Sequence, residues 1–394
     1  MVEGGYWKIK SIIYFPLSKP AFTYRAPASA PSMSFSIGIV GLPNVGKSTL
    51  FKALTKKQID IANYPFCTIE PNKGIVLVPD ERLKNLADMS KSEKIIYTTI
   101  EFVDIAGLVK GAHKGEGLGN QFLANIREAD AICHVIRGFA LGNIIHVAGK
   151  VDPEEDAEIV EMELAFSDLD AAKKHLSKLR DKVKSAGAKD EKDTRSLIEL
   201  FEKKIVPALE QGLPLRKAGL SAEELAAVQY MSFLTVKPMI YLLNVDENTI
   251  NEAPNLPKLK NEIIIPVCAK IEADLADLNA AEAQEYMKEM GIAVSGLDKI
   301  ILEAYKVLNL ISFLTTGQDE TRAWTITRGM LAPQAAGKIH GDFERGFIAA
   351  DVINWQDLLT VGSEVAAREK GMIRLEGKKY EVKDGDVCVF KFNV

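Results

Sequence analysis

The stretch Gly41-Leu-Pro-Asn-Val-Gly-Lys-Ser48 restricts this chain more than any other. It fits G-x-x-x-x-G-K-[ST] and has the surroundings that pattern needs, the apolar run Ser36–Gly41 before it and helical spacing over 48–56 after it. The glycines let backbone N–H groups turn toward phosphate oxygens, and the helix N-terminus adds a favourable dipole. Asn44, Val45, Gly46 and Thr49 complete the phosphate-facing loop; Lys47 is placed to reach the β and γ oxygens, and Ser48 to ligate Mg2+. A glycine turn alone accounts for neither Lys47 nor Ser48.

Such a loop belongs at the carboxyl end of a strand in a parallel sheet. Further strand-like runs follow at 98–107, 131–139, 239–245 and 263–270, with helical patterns between most of them. This alternation predicts an α/β fold with helices on both faces of the sheet. It stops between about 152 and 236, where apolar residues fall at helical and near-heptad spacing on either side of the turn Gly187-Ala-Lys-Asp190. That pattern predicts an inserted antiparallel helical hairpin. Lys173, Lys174, Lys178, Arg180, Lys182 and Lys184 make one stretch of it basic, either a solvated helix face or a surface for RNA or a partner. From about 310 short strands mix with Gly and Pro, and a strand, an Asp-Gly turn and a final strand end the chain. The expected division is a nucleotide domain over 33–151 and 237–309, a helical insertion over 152–236, and a small α+β module over 310–394. Residues 1–32 are basic, rich in Pro and Ser, and carry the single acid Glu3. They read as a non-native or disordered extension, with an organelle transit peptide as the alternative.

Bulk properties narrow the function by exclusion. A net charge of −5 argues against coating nucleic acid by bulk charge while leaving room for a local basic face. The four cysteines lie far apart without a CxxC pair, so neither a zinc site nor a disulfide framework is expected and a reduced cytoplasmic setting fits. No apolar run approaches the roughly 20 residues of a membrane span. Neither DNA nor membrane is an expected partner, and a monomer is the default.

The remaining site residues follow from the phosphate loop. Asp104 ends a strand in Asp104-Ile-Ala-Gly107, where a carboxylate can hold the Mg2+ shell and Gly107 can approach the γ-phosphate. Thr68, in 63–74, can complete the coordination when γ-phosphate orders that loop. Leu108 stands where Ras-like enzymes place a water-orienting Gln. Leucine cannot hydrogen-bond a water, so hydrolysis is slow or another group orients the water; His113 and His146 are the candidates. Asn44 is a candidate to help bind K+ near the phosphates. At the base, Asn244-Val245-Asp246-Glu247 replaces the Asn-Lys-x-Asp of guanine readers. Val245 removes the lysine that packs over the base, and Glu247 is one methylene too long for the paired contact to guanine N1–H and N2–H2. Backbone groups near Asn244 and Val245 are candidates to read an adenine amino group.

Taken together, 38–55, 63–72, 101–130, 244–247 and 323–348 resemble the Obg-like ATPase family of YchF-type proteins, from about Met33 to Val394. The resemblance implies a Ras-like nucleotide domain, a coiled-coil insertion and a C-terminal TGS module of β-grasp fold. It also implies ATP preferred over GTP, slow hydrolysis and ribosome binding, through the helical and TGS parts. The match at 143–147 makes His146 the first choice for supporting hydrolysis and His113 the second. Three functional classes stand open: an ATP hydrolase, a nucleotide-gated ribosome-binding module in which hydrolysis only resets the state, and a guanine-specific GTPase in RNA maturation. A small-molecule kinase is disfavoured, because no acceptor site is evident.

Overall fold

The computed structural model describes residues 35–56, 72–105, 118–139, 151–185 and 191–393. Twelve strands occur among them: β1 (Ser36–Gly41), β2 (Lys73–Leu77), β3 (Lys94–Ile96), β4 (Thr99–Asp104), β5 (Ala131–Arg137), β6 (Met239–Asn244), β7 (Ile263–Val267), β8 (Leu310–Thr316), β9 (Glu320–Thr327), β10 (Phe347–Asn354), β11 (Arg374–Glu376) and β12 (Asp386–Phe392). They make two sheets in two compact units, residues 34–76 with 100–307, and residues 77–99 with 308–394.

In the first unit the sheet order is β2-β4-β1-β5-β6-β7, and β4, β1, β5, β6 and β7 run parallel. Every residue of β5 and β6 is buried, which is why both read as mostly apolar runs broken only by His134, Arg137 and Asn244; a parallel strand covered on two faces has no solvent side to alternate with. Helix α1 (Lys47–Lys56) follows β1 directly and buries Leu50, Phe51, Ala53 and Leu54.

The insertion forms the predicted hairpin. Helix α2 (Pro153–Ser185) is one arm; the other is helical over 191–210, with one π-helical turn at Phe201–Ile205. The pairs Lys173–Glu210 and Arg180–Glu202 run in opposite sequence directions, so the arms are antiparallel. Their apolar seam buries Ala165, Ala172, Leu176, Phe201, Ile205 and Leu209.

Polar bonds tie α2 to the sheet. Glu161 of α2 accepts from Tyr241 of β6 at 2.5 Å, from Lys217 at 3.1 Å and from Arg216. Burial alone would raise the Glu161 carboxyl, but Arg216, the Tyr241 hydroxyl and Lys217 together hold it below its usual range. The same burial, with Glu161 beside it, pushes the Tyr241 hydroxyl up. His134 of β5 lies fully buried with its ring centroid 5.5 Å from that of Tyr241, and neither ring nitrogen has a hydrogen-bond partner among the described residues. Burial pushes its pKa down to about 4, so it is a neutral ring. Farther along α2, Asp168 accepts from Leu234 N at 3.0 Å, Thr235 N at 2.8 Å and the Thr235 hydroxyl at 2.7 Å, fixing the return of the chain toward β6.

The second unit has a mixed sheet, β11-β10-β12-β8-β9-β3. The antiparallel pairs β8–β9 and β10–β12 join through the parallel contact Leu314–Val387, in keeping with the β-grasp expectation. The helix Ala332–Ile339 packs its alanines on one face against Ile311, Phe313, Val352 and Phe390. The strand expected before the Asp384-Gly385 turn is only an isolated bridge between Leu331 and Glu381.

One departure from the expected division concerns residues 77–99, placed by sequence within the stretch 33–151 of the nucleotide domain. They contribute the helix Glu81–Ser90 and β3 to this second unit, where β3 pairs parallel with β9. Leu83 and Leu86 are fully buried: they fill a core with Leu314, Ala323, Ile353 and Val387. Burying each stabilises by about 1.5–3 kcal/mol, which a continuous domain boundary in the sequence gives no hint of.

Candidate functional site: a phosphate loop and a base-side pair of loops

The phosphate loop leaves β1 at Gly41, where any side chain would put a Cβ 2.7 Å from the Val135 carbonyl oxygen. Asn44 and Gly46 take left-handed conformations, with φ 66° and 95°. At Gly46 a Cβ would also lie 2.2 Å from the Asn244 side-chain nitrogen, so glycine is required on two counts. Helix α1 starts at Lys47 with no acid in its first turn, leaving a helix N-terminus suited to anions. Ser48 and Thr49 are exposed there, and Val45 is buried beneath.

The register Ile39–Asp104 puts the end of β4 beside the loop, and Lys47 Nζ donates to Asp104 Oδ1. Asp104 and the Ser48 hydroxyl are hard oxygen donors on adjacent elements, which is the donor chemistry Mg2+ takes, so the described residues fit that ion. Thr68, Gly107, Leu108, His113 and His146 lie outside the described residues.

Beyond the phosphate loop, the parallel strands β6 and β7 end together. Val245 N–H donates to the Val267 carbonyl at 2.8 Å, and Gly138 N–H donates to the Asn244 carbonyl at 2.8 Å. Of the backbone groups near Asn244 and Val245, expected from sequence as candidates to read an adenine amino group, the Asn244 carbonyl already accepts from Gly138 N–H. The Asn244 side chain is buried and used at both ends: Nδ2 donates to the Val45 carbonyl at 2.9 Å, and Oδ1 accepts from Ala269 N at 3.0 Å. Asn244 thus ties the phosphate loop to the segment after β7. Val245 is buried as well. Glu247 is half-buried and pairs with Lys270 at 2.9 Å.

Ala269 and Lys270 were absent from the sequence-based site. The available signal was topological: 263–270 reads as a strand, and the residues just past the carboxyl end of a strand in a parallel sheet line its ligand crevice. Among the basic residues of the insertion, Lys173, Arg180 and Lys184 pair with Glu210, Glu202 and Asp181. In the second unit, Arg345 pairs with Asp342, and His340 Nδ1 accepts from Asp342 N at 3.2 Å.

A parallel sheet whose first strand runs into this loop and α1, with an acid at the end of the neighbouring strand, defines a P-loop nucleoside-triphosphatase domain. The model for the 50S ribosome-binding GTPase family matches residues 36–182, and that for the YchF-GTPase C-terminal domain, described as of unknown function, matches 310–393. The ribosome-binding ATPase YchF of Escherichia coli O157:H7 is 52% identical over 368 residues, covering 92% of this chain and all of that one. Its counterpart in Bacillus subtilis strain 168 is 47% identical over 371 residues, again covering 92% of this chain. The solved structure of the Schizosaccharomyces pombe YchF GTPase is 40% identical, covers 92% of this chain and 98% of its own, and superposes with a TM-score of 0.82. The chain belongs to the YchF family.

Proposed function

We propose that this chain is a Mg2+-dependent hydrolase that takes ATP in preference to GTP, and that its nucleotide state governs association with the ribosome in the cytoplasm. The observation that carries the base preference is the loop after β6: Val245 is buried at the end of β6 where a guanine reader has an exposed lysine stem, and Glu247 replaces the shorter aspartate. A site that leaves buried polar groups of the wrong base unmatched rejects that base strongly. The similarity to ribosome-binding ATPases supports ribosome binding.

In this reading the backbone N–H groups of 44–49 bind the phosphate oxygens and Lys47 neutralises them. Ser48 and Asp104 hold Mg2+, with Thr68 completing its shell; the ion supplies charge neutralisation of the phosphates. Asn44 helps hold K+, and Gly107 approaches the γ-phosphate. Leu108 cannot orient a water, so intrinsic turnover is slow and His146, or after it His113, supports hydrolysis. The helical insertion over 152–236 and the TGS module over 310–394 supply the ribosomal contacts.

Calorimetry of the full chain with ADP and GDP in Mg2+ tests the base preference. Tighter ADP binding is expected; tighter GDP binding overturns the reading and leaves a GTPase in RNA maturation. Co-sedimentation with ribosomes in ATP and in ADP tests the gating, and equal pelleting in both would remove it. Turnover of His146→Ala and His113→Ala, with and without ribosomes, assigns the histidine.

A further inference from the structure

The Glu247–Lys270 pair joins the two loops that flank the base, and nothing in the motif itself assigns Lys270 a role. Three bonds stitch these loops together in sequence: Val245 N to Val267 O at 2.8 Å, Ala269 N to Asn244 Oδ1 at 3.0 Å, and Lys270 Nζ to Glu247 Oε1 at 2.9 Å. The first two lie at the carboxyl ends of β6 and β7 and set the spacing of the loops. The third is more exposed and differs in kind, because it joins a charge to the one residue that a base-reading carboxylate would occupy. We propose that Lys270 is a specificity-determining residue, which holds and neutralises the Glu247 carboxylate so that it is not offered to guanine.

The physical case rests on the edges of the two bases. Guanine presents N1–H and N2–H2, both donors, and a bare carboxylate, even one a methylene too long for the paired contact, can accept from one of them. Adenine presents an acceptor at N1 beside its amino donor, so a bare carboxylate facing that edge meets a lone pair. Pairing with an ammonium turns the carboxylate toward the cation and cancels its charge. Lys270 therefore disfavours guanine and favours adenine through one contact. Asp246 precedes Glu247, and Asp274 lies one turn beyond Lys270 on the helix Ala269–Leu275, so the local surplus is negative and Lys270 is the cation that meets it. The hydrogen bond to Glu247, and then its charge, raise the Lys270 ammonium above its ordinary range.

This inference rests on the proposed preference for ATP, and its test separates the two. The affinities of the full chain for ADP and GDP, each with Mg2+, are measured by calorimetry for wild type, Lys270→Met, and Lys270→Met with Glu247→Gln. Lys270→Met keeps the stem and removes the charge. It is expected to weaken ADP and tighten GDP, moving the ratio of the two by about two- to fivefold, the range open to a partly exposed charge pair. Adding Glu247→Gln removes the bare carboxylate and restores the wild-type ratio. An unchanged ratio, or an equal loss for both nucleotides as expected of a general binding or structural contact, overturns the inference. A wild-type chain that binds GDP more tightly overturns the ATP preference instead, and leaves the shift caused by Lys270→Met to be read on its own.

Discussion

Strand β6 anchors two polar junctions, one on each face. Asn244, at its carboxyl end, joins the phosphate loop to Ala269 with a neutral amide that makes one bond at each end. Tyr241, three residues earlier and so on the opposite face of the strand, joins the sheet to the helical arm through the charged set Glu161, Arg216 and Lys217. Both junctions are removed from water, yet they use different physics. A neutral amide costs little to bury when satisfied and fixes geometry; buried charges cost much to desolvate and are held only while every partner remains. Position matters most at the nucleotide end, and attachment at the arm.

Breaking the charged junction should have the largest effect. Glu161→Leu leaves the Arg216 guanidinium buried without its carboxylate and is expected to cost about 3–5 kcal/mol in urea unfolding, with ADP affinity of the folded chain unchanged. Loss of ADP binding in step with stability would mean that the faces are not independent.

Next in size is a pH effect from His134. Its pKa is pushed from 6.5 down to about 4, so the unfolded chain takes up a proton first as pH falls. The contribution is whole above pH 6.5 and is lost as pH drops toward 4, about 3 kcal/mol in all. His134→Leu should flatten this part of the stability–pH curve relative to wild type, and a curve of unchanged slope would exclude the buried ring as its source.

On the neutral side, Asn244→Ala frees the Val45 carbonyl and the Ala269 N–H. It is expected to weaken nucleotide binding by about 10- to 100-fold while changing stability less than Glu161→Leu, as read by calorimetry alongside unfolding. The smallest effect is Tyr241→Phe, which removes one of several bonds to Glu161. A loss of about 1 kcal/mol in stability, with no change in nucleotide affinity, would complete the contrast.

The contrast also explains what the sequence made legible. The phosphate loop could be read because steric demands at Gly41 and Gly46 and the chemistry of Lys47 and Ser48 are local to eight residues. The strands β1, β5 and β6 could be read because burial on both faces writes a mostly apolar run with no alternation. Lys270 could not be singled out, since its meaning lies in a pairing with Glu247 set by the register of β6 against β7. Glu161 likewise looked like one charge among many on a long helix, although Tyr241 and Arg216 bury it. The assignment of residues 77–99 failed for a related reason. Strand β3 has only three residues, and its partner β9 begins at Glu320, so neither a local period nor a nearby turn advertises the pairing.

That last pairing has a consequence for synthesis. The helix Glu81–Ser90 and β3 leave the ribosome long before the strands they pack with, which begin at Leu310. At about 5–20 residues per second, the wait is roughly 10–40 s. Throughout that interval Leu83 and Leu86 lack their core and β3 lacks a neighbour, so the nascent chain carries an uncovered apolar helix in the middle of a domain that can otherwise close. A chain halted before residue 310 would keep that surface permanently, and the natural unit of expression for the nucleotide domain is the whole chain.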